Sequence, residues 1–169
     1  QALGLQTAPP NMMIVSLAMF LSYFVMEPVL TEAWASGVSP LLEGDIDEEQ
    51  AFARAMVPFR TFMENRVDAD VITELASALP ERKAADGVEQ PLSLLVPSFM
   101  LSEIQRGFEI GFMIFLPFLV IDLVVASILM GMGMMMVPPA VVSLPFKLAF
   151  FVVADGWALI AGSLVRSYF

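Results

Sequence analysis

The sequence contains no cysteine and no histidine. Without cysteine there is no disulfide, no thiolate metal site and no thiol nucleophile in the chain. Without histidine the commonest metal ligand and the usual general base are also missing, so zinc hydrolysis and Ser-His chemistry are unavailable. Carboxylates alone, with no glycine-rich phosphate loop beside them, leave little catalytic chemistry. The expectation is a protein that is not an enzyme and uses no cofactor and no metal. Positive charge is scarce too, with 8 Lys and Arg against 18 Asp and Glu and a net charge of -10. A nucleic-acid binder neutralises phosphates with clustered Lys and Arg, and here the basic residues are scattered, so nucleic acid is set aside as a partner.

Apolar residues are in excess. Of the 169 residues 58% are hydrophobic, and the mean hydropathy is +0.78, more than a globular domain needs to fill its core. Most of the acids fall between Glu32 and Glu89, so the charge describes one segment. Three parts follow: an N-terminal loop and hydrophobic helix over 1–30, an acidic helical module over 31–91, and a hydrophobic helical hairpin over 92–169. The expected fold is all-α, with membrane-associated helical hairpins and a small polar helical module between hydrophobic segments.

Pro9 and Pro10 hold an extended or turn-like backbone, and Asn11 stands where a cap would precede a helix from Met12. From Met12 to Met26 only Ser16 and Ser22 are polar, and Glu27-Pro28 then interrupt. About fifteen to nineteen residues is marginal for crossing a hydrocarbon core, so spanning, re-entrant and protein-buried readings all stand. Gln1 is not Met and no signal-peptide pattern precedes the first apolar run, which leads us to expect that the sequence starts within a longer chain. In the acidic part, Asp45 with Glu48 reads as a helix start. Phe52, Met56, Phe59 and Met63 make an apolar stripe on that helix, and Pro58 predicts a kink or break. A second helix is expected from about Ala69 to Leu79, ended by Pro80 and Glu81-Arg82-Lys83.

Ile110 to Met130 contains a single charge, Asp122, and is long enough to span a bilayer at about 31 Å. Gly131, Gly133, Pro138 and Pro139 then bracket a methionine run and predict a turn or broken helix before the last apolar stretch, Ala140 to Val165. If the hairpin turns near Met134 and Met135, antiparallel pairing brings Asp122 to the level of Lys147. A bare charge in a membrane costs about 3 kcal/mol or more, so such residues pair or face water. A structural ion pair within or between subunits, a proton or ion relay that includes Asp155, and simple exposure all fit the sequence. Gly107 and Gly111 form a G-x-x-x-G spacing, and Ala154, Ala158 and Gly162 recur at every fourth residue. Small residues at such intervals let helices approach closely, either within one chain or between copies. Five of the 13 methionines lie between Met130 and Met136. Deformable thioethers serve equally as hydrophobic filler or as a gate that re-packs around a changing partner.

A family resemblance resides in Pro97-Ser98-Phe99, Ser102-Glu103, Ile110-Gly111-Phe112, the run from Phe115 to Val124, Met132-Gly133-Met134-Met135-Met136-Val137-Pro138-Pro139, Leu144-Pro145-Phe146-Lys147-Leu148 and Asp155-Gly156-Trp157. These residues resemble the FliP family of flagellar type III export-gate proteins. The resemblance runs from Pro9-Pro10-Asn11 to the C-terminus and is weakest in the acidic middle. It implies a homo-oligomeric ring of several copies that also takes in FliQ and FliR, with FlhA and FlhB nearby, in the bacterial inner membrane at the flagellar basal body. Unfolded flagellar export substrates would pass through its centre. Met134, Met135 and Met136 would be the sealing gasket, and residues 31–91 would lie on the periplasmic side. Family members start with a signal peptide and a further hydrophobic segment, neither visible here. Part of such an assembly stands above the membrane plane, so the apolar helices are expected to touch lipid, protein or both. The homologous injectisome subunit and an ion-coupled secondary transporter built on Asp122 and Asp155 are the alternatives.

Overall fold

The computed structural model describes residues 2–5, 9–78 and 90–169, and every regular element among them is helical. Pro10 starts the first helix, because its carbonyl accepts from the amides of Met13 and Ile14 at 2.9 and 3.4 Å. The cap position therefore falls on Pro10 and not on the expected Asn11, which is already the first residue of α1, Asn11–Ala33. Pro28 does not end this helix. A single proline removes one hydrogen bond without reversing the chain, and α1 runs on through a π-helical turn, Trp34–Val38, into α2, Ser39–Glu43. The apolar start thus belongs to a continuous helical stretch of 33 residues, well above the roughly 20 needed to cross a bilayer. The helix does not end at residue 31.

The remaining helices are α3, Glu48–Arg66; α4, Ala69–Ala78; α5, Leu92–Gly131; α6, Pro139–Val153; and α7, Gly156–Arg166. They belong to two compact units, Met26–Glu109 and, separately, Gln1–Val25 with Ile110–Phe169. The expected end of the second acidic-module helix, at Pro80 and Glu81-Arg82-Lys83, lies outside the described residues.

In the first unit, α3 is capped by Asp47, whose side chain accepts from the Gln50 amide at 2.8 Å. The expected start at Asp45 is off by two residues. The π-helical turn packs its Gly37 so closely on α3 that a Cβ there would lie 2.6 Å from the Ala51 carbonyl oxygen and 2.7 Å from the Ala55 Cβ. At this end of α3 the contact turns the small Ala51 inward and leaves Phe52 66% exposed. Of the apolar stripe expected at Phe52, Met56, Phe59 and Met63, Met63 is buried, Met56 and Phe59 are half-buried, and Phe52 alone faces out, because backbone proximity there overrides side-chain size. Pro58 leaves α3 unbroken. Its missing N–H deprives the Arg54 carbonyl of a helical partner, and Ser36 Oγ donates to that carbonyl instead, in a long contact of 3.4 Å.

α5 begins at Leu92, upstream of the nearly uncharged stretch from Ile110 to Met130, the carbonyl of Pro91 accepting from the amides of Leu94 and Leu95. Its N-terminal half carries the buried Leu94, Leu95, Ser98 and Ser102, and the Phe99 ring meets Phe62 of α3 edge to face at 5.8 Å. In the second unit the rest of α5, α6 and α7 are held by aromatic contacts. The buried Phe118 meets Phe150 at 6.1 Å, and Phe151 meets Trp157 at 5.4 Å. Large apolar side chains on α1 and on the apolar half of α5 face outward, among them Phe20, Met113 and Val124. Such surfaces require lipid or protein to cover them. Among the described residues two helical stretches can cross a membrane by length and composition, and the bent pair α6 and α7 makes a third if it is one span.

Candidate functional site

The turn between α5 and α6 is built from glycine and proline. Gly133 has φ +75. From this left-handed position the amide of Gly133 donates to the Met130 carbonyl at 3.0 Å and that of Met134 to the Leu129 carbonyl at 2.9 Å. These are the two bonds of a Schellman motif, which closes the end of α5 and pins Met134 over it. Met135 donates to the Gly133 carbonyl. Pro138, extended at φ -64 and ψ 119, then caps α6, and Pro139 is its first residue, where a missing N–H costs nothing. Between these fixed ends the amides of Met136 and Val137 reach no acceptor among the described residues. Met134, Met135 and Met136 are 47%, 84% and 97% exposed. A backbone with open donors cannot rest in hydrocarbon, so this turn must meet water or a protein partner.

Below the turn, Asp122 of α5 and Lys147 of α6 meet: Lys147 Nζ lies 2.5 Å from Asp122 Oδ2. Ser143, one helical turn before Lys147, donates to Asp122 Oδ1 at 2.5 Å. Both carboxylate oxygens are thus engaged. Lys147 and Ser143 are buried, while the Asp122 side chain keeps 35% of its surface open. An ammonium and a carboxylate out of water need this kind of mutual satisfaction. The hydroxyl escaped the sequence reading, although the i, i+4 spacing of Ser143 and Lys147 puts both on the α6 face that meets Asp122.

Asp155 does not join that pair. It sits at the break between α6 and α7 with φ 50 and ψ 47, the one non-glycine in the left-handed region among the described residues, and its side chain makes no capping hydrogen bond. Gly156 follows because a Cβ there would fall 2.3 Å from the Phe151 ring. The two helices meet at 56°. Ala154 is consequently the C-cap of α6, whereas Ala158 and Gly162 lie on α7, and the expected every-fourth-residue row does not form on one helix. At Gly107 and Gly111 an added Cβ would have nothing within 4 Å, and at Gly162 it would meet the Arg166 guanidinium at 3.7 Å. Among the described residues none of these glycines is a point of helix–helix contact.

A further polar cluster lies in the other unit. Glu103 accepts from Arg66 Nε at 2.9 Å, Arg66 Nη2 at 3.3 Å and Arg106 at 3.1 Å. Ser102 Oγ accepts from the Asp68 amide at 3.0 Å, just before α4. Only the long sequence separation hid this pairing, since Ser102 and Glu103 stood out in the motif without any visible partner.

Comparison with known proteins gives a consistent answer. Residues 1–164 match the model of the FliP family. The flagellar biosynthetic protein FliP of Agrobacterium fabrum is 53% identical over 169 residues, covering 98% of this chain and 69% of that protein. The protein of the same name from Caulobacter vibrioides is 50% identical over 169 residues, covering 99% of this chain and 63% of that one. That of Bacillus subtilis is 41% identical over 167 residues, covering 99% and 76%. The chain therefore spans about two thirds of the length of the first two.

Proposed function

Because the chain belongs to the FliP family, whose members include flagellar biosynthetic proteins, and itself carries apolar helices of membrane length, we propose that it is a core, non-enzymatic subunit of the flagellar type III export gate in the bacterial inner membrane. In this reading several copies form a ring with FliQ and FliR, close to FlhA and FlhB. Unfolded flagellar proteins pass through the centre, and residues 31–91 lie on the periplasmic side and help the ring assemble. Met134, Met135 and Met136 seal the passage at rest.

One observation carries the reading: a turn fixed at both ends by Gly133 and Pro138 presents three consecutive thioethers outward and leaves the amides of Met136 and Val137 open. A turn with open donors suits the wall of a water-containing passage. Flexible, apolar thioethers can close on one another and also mould around a passing chain of any sequence. The Asp122–Lys147–Ser143 cluster, in turn, ties α5 to α6 and fixes where the turn stands. The open surfaces of Gly107 and Gly111 suit contact with another subunit.

The assembly reading is tested by native mass spectrometry of the detergent-extracted full-length protein, expressed with and without FliQ and FliR. A discrete multi-copy complex that takes up both partners is expected. A stable monomer or dimer that ignores them contradicts it.

A further inference from the structure

The three gate methionines differ from the other methionines in more than position. Met19 and Met113 lie on the apolar faces of α1 and α5, where lipid or protein covers them, and Met63 is 9% exposed inside its unit. Met135 and Met136 lie outside any helix at 84% and 97% exposure, on a backbone whose open amides require water or a partner nearby. A small polar oxidant that travels with water reaches these thioethers before the shielded Met63.

We propose that Met135 and Met136 are sites of reversible oxidation, at which hydrogen peroxide converts the thioether to methionine sulfoxide and loosens the seal. The inference rests on the sealing role proposed above. In the reaction a sulfur lone pair attacks one peroxide oxygen, the O–O bond breaks, an S–O bond forms, and the proton of the attacked oxygen passes to the departing hydroxide, which leaves as water. Sulfur is oxidised by two electrons and peroxide is reduced. Two thiols of a sulfoxide reductase reverse the step, giving water and a disulfide.

Two consequences follow from the geometry. A sulfoxide is strongly polar, so a ring of oxidised side chains no longer excludes water as a ring of thioethers does. The new oxygen is also a strong acceptor, and the turn holds two unengaged donors, the amides of Met136 and Val137. A sulfoxide at Met135 or Met136 thus brings a strong acceptor into a turn that already holds these donors. Oxidation therefore favours a different arrangement of the segment between Gly133 and Pro138 over the close packing of side chains across the passage.

The test uses the full-length protein assembled with FliQ and FliR in vesicles that enclose a small dye, treated with hydrogen peroxide. Peptide mass mapping is expected to show oxygen addition at Met135 and Met136 well ahead of Met63. Dye release is expected to rise severalfold and to return towards the untreated rate after sulfoxide reductases of both epimer specificities. The ratio of treated to untreated release should stay near one in M135L/M136L, whatever its untreated rate, and should keep its rise in M113L. Oxidation at Met135 and Met136 no faster than at Met63, or an unabated rise in M135L/M136L, overturns the proposal. Full oxidation without added release overturns it too. In that last case, release by an untreated variant with alanine at all three gate positions shows that the sealing role itself survives, and tightness of that variant shows that both fall together.

Discussion

Lys147 Nζ and Asp122 Oδ2 stand 2.5 Å apart, linking α6 to α5 across the hairpin, with Ser143 donating to the other carboxylate oxygen. Lys147 is only 4% exposed, so removing its partner strands a buried ammonium. Asp122→Ala is expected to destabilise the hairpin by about 3 kcal/mol. The double variant Asp122→Leu with Lys147→Met, which leaves no charge behind, should recover most of that loss. Thermal unfolding in detergent reads both. Equal losses in the single and double variants would refute the pairing account.

The break between α6 and α7 gives opposite expectations at adjacent residues. Asp155 occupies a left-handed conformation without a capping hydrogen bond, and Asp155→Gly should stabilise the chain by about 1 kcal/mol through relief of that strain. Gly156→Ala places a methyl 2.3 Å from the Phe151 ring, itself packed on Trp157. It should cost about 1–3 kcal/mol by overpacking. Unfolding midpoints of the two variants should move in opposite directions, and a shared direction would contradict the geometry.

Two fully buried serines on α5 separate a structural hydroxyl from a dispensable one. Ser102 accepts from the Asp68 amide at the start of α4, whereas Ser98 donates only to the Leu94 carbonyl of its own helix. Ser102→Ala should cost about 1–2 kcal/mol because it leaves the Asp68 amide unpaired, and Ser98→Ala should cost well under 1. Denaturant titration of the two variants in detergent checks the ranking, and a costlier Ser98→Ala would reverse the assignment.

Much of this arrangement is legible in the residues, and the failures share a cause. Gly131, Gly133, Pro138 and Pro139 act within a few positions, so the turn was readable from local chemistry, as was the level at which Lys147 faces Asp122. Pro28 and Pro58 were read as interruptions because isolated propensity says so, yet both helices continue through them. At Pro58 the Ser36 hydroxyl, from another segment, meets the orphaned carbonyl, and no local pattern shows that. Phe52 leaves the expected face of α3 for a similar reason: close approach of Gly37 selects Ala51 and Ala55 at that end of the helix. The pairing of Glu103 with Arg66 likewise spans 37 residues. The methionines were visible from the start, and the role proposed for them depends on the family likeness, because a Met-rich turn alone suits filler as well as a gate.

The measurement closest to the central claim is the leak of small solutes through the assembled full-length protein in vesicles, compared between the native sequence and the variant with Met134, Met135 and Met136 all replaced by alanine. The account predicts that the variant assembles with the same copy number and leaks ions and small dyes, because alanine is too short to close the passage. An assembled variant as tight as the native protein would contradict the sealing role of these three methionines.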